Sequence, residues 1–242
     1  MLGRFFGFGA IFQVIALVHF VRRRPDGYWL WIIFIGGGIG SIAYLLAEAL
    51  PGFGAMQHTM QGFSRRRRVK LLEALTLENP SAGNFEELGD LLVDEGRFAQ
   101  AKECFDRALG ARTDSIDPFF KRGWCEFELG DDSAAVSDLQ RVVEYDPRYA
   151  YSRALGMLAQ SLARLGRLDE ATAAFDRLLA QSTASEALAV TAEFYFDHGR
   201  LADAREVARK LVARRVTMPS YQRRRDRKWL RRASAVLRKT KA

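Results

Sequence analysis

The side chains that most often carry out covalent or metal chemistry are scarce in this chain. Its 242 residues include three histidines, His19, His58 and His198, and two cysteines, Cys104 and Cys125. Their spacing matches no metal-ligand cluster, disulfide framework or Cys-x-x-Cys motif, and the sequence has no glycine-rich phosphate loop or nucleophile elbow. The sequence therefore predicts no enzyme, no metal site and no cofactor, and the chemistry to look for is that of binding.

Acidic, aromatic and basic side chains recur at helical spacing through the middle of the chain, and this chemistry suits the binding of another polypeptide. Acidic residues come first, aromatic residues form the centre, and basic and amide residues follow. Such a series fits an extended peptide with basic and apolar anchors. The predicted contact residues are Glu86, Asp90, Phe120, Lys121, Trp124, Phe127, Arg153, Met157, Gln160, Glu193 and Phe196. A purely structural role of Trp124 and Phe127 in packing between helices stays open.

A regular series of glycines and alanines indicates which elements position these residues. Four glycines recur at intervals of 33 to 36 residues, and each is followed five residues later by an alanine. A period near 34 is typical of helix–turn–helix repeats. The glycine ends the first helix at positive φ, and the alanine lets the two helices approach closely. Stacked units of this kind leave a concave surface free for binding. The pairs are Gly96 and Ala101, Gly130 and Ala135, Gly166 and Ala171, and Gly199 and Ala204.

The units resemble the tetratricopeptide repeat. The second unit has an aromatic, a small, a turn, a small, a bulky and a proline residue where that family has them, at Phe119, Gly123, Gly130, Ala135, Leu139 and Pro147. Four repeats starting near residues 82, 116, 152 and 185, with a partial leading unit, would fill residues 65–218. The resemblance implies an all-α solenoid that binds proteins or peptides. A helix in residues 219–242, with Trp229, Leu230, Ala233, Val236 and Leu237 on one face, is expected to cap it.

The first 64 residues have a different composition, with two apolar stretches at residues 5–21 and 28–50. A bilayer core requires about 20 apolar residues. The pattern therefore predicts a transmembrane helical hairpin, in which Gln13 and His19 find polar partners across the hairpin or at the interface. The glycines of the motif Gly36-x-x-x-Gly40 are expected to let the two hairpin helices pack closely.

The hairpin is similar to the N-terminal two-helix membrane module of cardiolipin synthase-type phospholipase D proteins. The similarity is carried by the motif Arg24-Pro25-Asp26 and by Trp31, Gly40 and Tyr44. The catalytic His-x-Lys-x4-Asp motif of that family is absent, because no histidine of this chain has a lysine two residues later. The resemblance therefore implies a shared anchor without the phospholipase chemistry.

The net charge of +8 is unevenly distributed along the chain. Residues 1–70 carry nine basic and two acidic residues, residues 71–218 carry eighteen and twenty-six, and residues 219–242 carry ten and one. Basic residues beside a membrane segment favour the cytoplasmic side and contact anionic lipid. The residues predicted to do so are Arg65, Arg66, Arg67 and Arg68. For the basic tail, a solvated face and attraction to anionic lipid both stay open, whereas the acidic charge of the repeats argues against a nucleic-acid partner.

Together these features predict a two-pass protein of a bacterial inner membrane with cytoplasmic repeats. Its predicted function is that of a non-catalytic scaffold that recruits a protein or peptide partner to the membrane surface. The alternative is an accessory or regulatory subunit of a lipid- or envelope-synthesis enzyme that acts through the hairpin.

Overall fold

The computed structural model describes residues 3–23, 27–45, 52–111 and 115–240, and these residues contain α-helices and no β-strand. The chain divides into two compact units, residues 1–70 and residues 71–242. The helices are α1 (Gly3–Arg23), α2 (Tyr28–Ile35), α3 (Gly37–Tyr44), α4 (Gly52–Glu78), α5 (Ala82–Asp94), α6 (Phe98–Gly110), α7 (Asp117–Leu129), α8 (Asp132–Tyr145), α9 (Tyr149–Arg164), α10 (Leu168–Gln181), α11 (Ser185–Asp197), α12 (Leu201–Arg214), α13 (Ser220–Arg225) and α14 (Arg227–Lys239).

The second apolar stretch is not one continuous helix, so the prediction of a single helix over residues 28–50 is wrong. It is interrupted at Gly36 and Gly37, where Gly37 has a φ of +51°. A Cβ atom on Gly40 would lie 2.0 Å from the carbonyl oxygen of Ile32, so α3 packs closely against α2. The glycine motif therefore allows close contact between α2 and α3, within the second apolar stretch. The predicted loop at residues 24–26 and the predicted helical residues 46–50 lie outside the described residues.

Among the residues that the structure describes, no helix is both long enough and apolar enough to cross a membrane. The first unit instead has a small core in which Ala16, Ile33 and Tyr44 are fully buried. The Gln13 side-chain amide donates to the backbone oxygen of Ile33 at 3.2 Å. His19 Nδ1 lies 2.9 Å from the Tyr44 hydroxyl. The prediction that both polar residues find partners across the two stretches is confirmed.

In the second unit, the four turn glycines adopt the predicted left-handed conformation, with φ between +73° and +80°. Each turn is closed by the same backbone hydrogen bond, from the residue after the glycine to the residue four before it, as in Arg97 N to Leu92 O at 2.9 Å. This bond satisfies a carbonyl that the end of the helix leaves free. The four predicted alanines, Ala101, Ala135, Ala171 and Ala204, are each 0% exposed.

The helix pairs α5–α6, α7–α8, α9–α10 and α11–α12 are the four predicted repeats, and the third begins irregularly. Ala150, Tyr151 and Ser152 all have positive φ, at 49°, 58° and 64°. Left-handed backbone costs roughly 1–2 kcal/mol per non-glycine residue, so the surrounding structure must stabilise this turn. Ser152 is buried, and its backbone N–H donates to the carbonyl of Arg148 at 3.0 Å.

The predicted terminal helix is two helices, because the chain turns at Asp226 between α13 and α14. The Asp226 side chain is buried and accepts hydrogen bonds from Ser185 Oγ at 2.8 Å and from Arg225 Nε at 2.9 Å. Burial alone would raise the pKa of Asp226, but these hydrogen bonds outweigh it and lower the pKa. The expected apolar face of α14 packs on the last repeat, with Leu230, Ala233 and Val236 buried and Trp229 and Leu237 partly buried.

Candidate functional site

The predicted contact residues on successive first helices of the repeats touch one another. Lys121 Nζ of α7 lies 2.7 Å from Asp90 Oδ1 of α5. The guanidinium carbon of Arg153 on α9 lies 3.9 Å from the centroid of the Trp124 ring on α7. Each contact joins predicted residues on neighbouring first helices, as expected if these side chains share a face. That this face binds a partner stays a prediction.

The two central aromatic residues are half-buried, and arginines of the next repeat lie against them. Arg164 lies 4.1 Å from the Phe127 ring centroid and donates to the Phe127 carbonyl oxygen at 3.2 Å. The Trp124 indole N–H donates to Glu128 Oε1 at 3.2 Å. Cation–π contacts near the surface are worth about 0.5–1 kcal/mol, so a partner can replace these arginines at small cost.

Two predicted contact residues are almost fully buried and offer little surface to a partner. Phe120 and Met157 are each 4% exposed. The Phe120 ring packs on Tyr149, with centroids 5.1 Å apart, and on Trp124 at 6.2 Å. Periodicity placed both residues on the inner face of their helices, but the close approach of neighbouring helices covers them. They support the surface from beneath.

A pocket of about 150 Å³ opens between α9 and α11, beside the left-handed turn at residues 150–152. Three predicted residues line it, Arg153, Met157 and Gln160, together with Ala187 and Val190 of α11. The floor is apolar and the rim carries a charged and an amide side chain. This combination is typical of a pocket that accepts one apolar side chain and orients its backbone. The sequence indicated the residues but not the pocket.

The far end of the predicted surface is partly covered by the terminal helix. Arg232 of α14 forms a two-point salt bridge with Glu193. Lys239 Nζ lies 5.3 Å from the centroid of the Phe196 ring. Because α14 already satisfies both residues, we place the end of the accessible inner face at α9 and the edge of α11. At the other end, Glu86 is half-buried, and Asp90 is exposed on α5.

The four arginines predicted to contact lipid lie on α4. Arg66, Arg67 and Arg68 are exposed, and Arg65 is half-buried. Four consecutive helical residues spread over about 300° around the axis, at 3.6 residues per turn. The four charges therefore do not form one flat patch, and contact with anionic lipid stays a prediction.

The two cysteines of the repeat unit are poorly suited to act as nucleophiles. Cys104 and Cys125 are buried and free, and burial raises the pKa of Cys104 and raises that of Cys125 to about 12. Thiols in this state are poor nucleophiles because the thiolate is disfavoured. The described side chains also include no group of three or more His, Cys, Asp or Glu residues arranged to hold a metal ion.

A partly buried charge network that was not predicted from the sequence lies between α6, α7 and α8. Arg122 of α7 donates to both carboxylate oxygens of Asp138 on α8, at 2.6 and 2.8 Å, and to Asp106 of α6 at 2.8 Å. Glu126 is buried beside this cluster, with Lys102 Nζ 3.9 Å from its Oε1 atom. The sequence did contain a sign of Asp138. This acidic residue directly precedes Leu139, which the repeat pattern places in the core, so its side chain lies next to the buried face of α8.

Comparisons with known proteins agree with this architecture. The tetratricopeptide repeat family matches in three overlapping segments, residues 86–150, 120–186 and 157–217. The crystal structure of MamA superposes with a TM-score of 0.59 at 18% identity, covering 66% of this chain and 94% of that one. YrrB, described as a TPR protein with an unusual peptide-binding site, gives 0.55 at 23% identity, covering 72% and 89%. TTC0263, a TPR protein from Thermus thermophilus, gives 0.54 at 21%, covering 75% and 94%. No curated protein matches the chain significantly.

The second unit consists of repeated helix pairs with left-handed glycine turns, buried alanines and an inner face that carries many side chains. These features define it as an α-solenoid of the protein-interaction class. The family match spans more than half of the chain. The chain belongs to the tetratricopeptide repeat family.

Proposed function

We propose that this protein is a non-catalytic scaffold that binds an extended peptide segment of a partner along the inner face of α5, α7 and α9. The observation that carries the proposal is the continuous contact between predicted binding residues of successive repeats, from Asp90–Lys121 to Trp124–Arg153. A peptide on this face would meet polar groups and aromatic surface already fixed in position. Preorganised groups of this kind reduce the entropic cost of binding.

The chemistry of the face indicates the kind of peptide it would take. Glu86 and Asp90 offer carboxylates to a basic side chain at one end. Trp124 and Phe127 offer aromatic surface in the middle, and the pocket beside Met157 accepts an apolar side chain. A segment with a basic residue followed by two apolar residues would satisfy all three sites.

Reversing the charge at the acidic end should weaken peptide binding. We expect Asp90→Lys to reduce the affinity for peptides selected from a random display library on the wild-type protein by about tenfold or more, because a basic anchor would then face two lysines. Fluorescence anisotropy with a labelled peptide measures this. Trp124→Ala should cause a comparable loss, since aromatic anchors dominate such interfaces.

Matched controls use the same substitutions away from the inner face. Asp169→Lys changes an exposed aspartate in the first turn of α10, and Tyr145→Ala removes an exposed aromatic residue at the end of α8. Both should leave the affinity within about twofold, as expected for positions outside the contact. If the two inner-face variants bound the peptide as tightly as the two controls, and circular dichroism showed intact helices in all four, the inner face would not be the binding site.

We further propose that the first unit attaches the protein to a membrane through an exposed apolar surface, without a requirement for a spanning helix. Residues 27–45 carry no charge, and Phe34, Ile35 and Ile39 are 70%, 81% and 83% exposed. Apolar patches of this kind mark protein or membrane interaction sites. Insertion into the interface would bury these side chains while the helix backbone stays hydrogen-bonded.

Placing charges on this surface should reduce membrane association. The double variant Phe34→Asp and Ile39→Asp is expected to lower the fraction that co-sediments with phospholipid vesicles by about tenfold or more, because each large apolar side chain contributes about 1.5–3 kcal/mol on burial. The control is Leu77→Asp with Val216→Asp, two side chains that are 83% and 87% exposed elsewhere. Equal sedimentation of both double variants would contradict this attachment.

The alternative function, an accessory subunit acting through the first unit, predicts a different outcome of the same experiment. The apolar surface would then contact a membrane enzyme, and the wild-type protein would bind vesicles only when they contain that enzyme.

A further inference from the structure

An open cleft of about 1000 Å³ lies between the end of α12, α13 and α14. It is separate from the inner face, because none of the predicted peptide contacts lines it. Its walls are dominated by arginines and also include two serine hydroxyls and the apolar side chains of Val212 and Leu230. The six arginines are Arg215, Arg223, Arg224, Arg227, Arg231 and Arg238.

Helical periodicity and the turn at Asp226 bring these arginines together. On α14, Arg227, Arg231, Ser234 and Arg238 follow one another at spacings of four, three and four residues, which places them on one face. The buried Asp226 fixes the angle between α13 and α14 through its hydrogen bond to Ser185. Both helices can therefore direct basic side chains into the same space.

The arginines of the cleft lack the carboxylate partners that other arginines of this unit have. Arg225 pairs with Asp226, and Arg232 pairs with Glu193. Within the described residues, none of the six cleft guanidinium groups takes part in a salt bridge or a hydrogen bond. Six guanidinium groups around one concave space repel each other and concentrate a positive potential there. Binding an anion in the cleft would relieve that repulsion.

The lining indicates the chemistry of the anion. Arginine binds phosphate oxygens with two parallel N–H donors, and the Ser220 hydroxyl can add a further donor. The Ser234 hydroxyl already donates to the Leu230 carbonyl oxygen at 2.7 Å. No aromatic side chain lines the cleft, so it lacks the stacking surface on which proteins hold nucleobases. We propose that this arginine cleft binds a compact anion that carries several phosphate groups, either a free polyphosphate or the multiply phosphorylated headgroup of a lipid.

The test uses the full-length protein in a mild non-ionic detergent, titrated with sodium tripolyphosphate, pyrophosphate and inorganic phosphate by calorimetry. We expect affinity to rise with the number of phosphates, with tripolyphosphate at least about tenfold tighter than inorganic phosphate, since each added phosphate reaches further arginines. Tripolyphosphate should also raise the melting temperature, because it binds only the folded cleft. Citrate, with a similar charge but only carboxylates, should bind more weakly.

The decisive comparison is between two triple variants that remove the same charge. Arg223→Gln, Arg227→Gln and Arg231→Gln together should weaken tripolyphosphate binding by about tenfold or more and abolish the thermal shift. The control, Arg148→Gln, Arg205→Gln and Arg209→Gln, changes three exposed arginines outside the cleft and should behave as the wild type. Equal weakening by both variants, or equal binding of citrate, would overturn the proposal in favour of a general charge effect.

Two further probes distinguish the sources of phosphate. Zwitterionic vesicles with and without a phosphoinositide bisphosphate test the lipid headgroup; a phosphoinositide-dependent increase in binding that the cleft variant loses assigns the site to a lipid. Binding of tripolyphosphate without that increase assigns it to a soluble ligand. A single-stranded RNA that binds the cleft more tightly than tripolyphosphate would overturn the proposal, because the cleft would then serve a nucleic acid.

Discussion

Replacing Arg122 with methionine is expected to lower the free energy of unfolding by about 3 kcal/mol. Removing one partner of a buried ion pair costs about 3–5 kcal/mol, because it leaves the other charge desolvated without compensation. Asp138 is 5% exposed and would lose both hydrogen bonds from the guanidinium group. We use the lower end of the range because the Arg122 side chain is 24% exposed and water screens part of the interaction.

The large effect also reflects the position of Arg122 between three helices. It links α7 to α8 through Asp138 and to α6 through Asp106. These hydrogen bonds, with that to Asp138 the strongest influence, raise the pKa of Arg122, so the side chain stays charged throughout the accessible pH range. Loss of the link should therefore loosen the packing between the first and second repeats.

Urea unfolding followed by circular dichroism measures this loss. Arg141→Met is the matched control. Arg141 is exposed on α8, and its guanidinium carbon lies 4.0 Å from the Phe119 ring centroid, so the substitution should cost about 1 kcal/mol or less. Adding Asp138→Leu to Arg122→Met should recover part of the stability, since both charges are then absent. Equal losses for Arg122→Met and Arg141→Met would show that the network does not stabilise the repeats.

Replacing Glu126 with glutamine should stabilise the protein at pH 8 by roughly 2–3 kcal/mol and change its pH dependence. Burial, and next the charge of Asp138, raise the pKa of Glu126 from 4.5 to about 7. Its Oε2 atom has no hydrogen-bond partner among the described residues. A carboxyl whose pKa is higher in the folded state favours folding while it is protonated, so that contribution is lost as pH rises from about 4.5 to 7.

The wild-type protein should therefore lose stability between pH 5 and pH 8, whereas Glu126→Gln should lose much less. Near pH 5 the two proteins should differ by less than about 1 kcal/mol. Melting temperatures across this range measure the difference, and Glu103→Gln, an exposed glutamate on α6, is the control that should follow the wild type. Parallel pH profiles of the wild type and Glu126→Gln would mean that Glu126 is ionised at no cost.

Both predictions concern the surface proposed to bind peptides. Arg122 and Glu126 alternate along α7 with Lys121 and Trp124, which we propose to contact the partner. The same helix therefore carries the charge network on one side and the contact residues on the other. We expect variants that weaken the network to reduce peptide affinity as well, because the inner face depends on the fixed spacing of α5, α7 and α9.

Local features of the repeats were predictable because they depend on short stretches of sequence. A helix that ends in a residue with positive φ favours glycine at that residue. The regular spacing of glycines reveals four such helix ends, at Gly96, Gly130, Gly166 and Gly199. The buried alanines follow the same period. Contacts between the first helices of successive repeats, such as Trp124 with Arg153, follow once the phase of the helices is known.

Burial and the ends of the array were less accessible to prediction. Phe120 and Met157 share the helical phase of Trp124 and Arg153, yet neighbouring helices cover them. Coverage of Glu193 and Phe196 depends on how α14 returns across α11, and this path follows from a turn at one buried aspartate, Asp226. Periodicity gives the direction of a side chain around its own helix but not the distance to the next one.

The sequence alone determined that the second unit is an array of tetratricopeptide repeats, and where the turn glycines and buried alanines of its four helix pairs lie, because these properties repeat locally. Only the tertiary structure decided that the stretch after Tyr28 breaks at Gly37, that Arg122 joins three helices, and that six arginines surround one cleft. The last two of these features depend on side chains of different helices reaching the same place, and packing in three dimensions sets those distances.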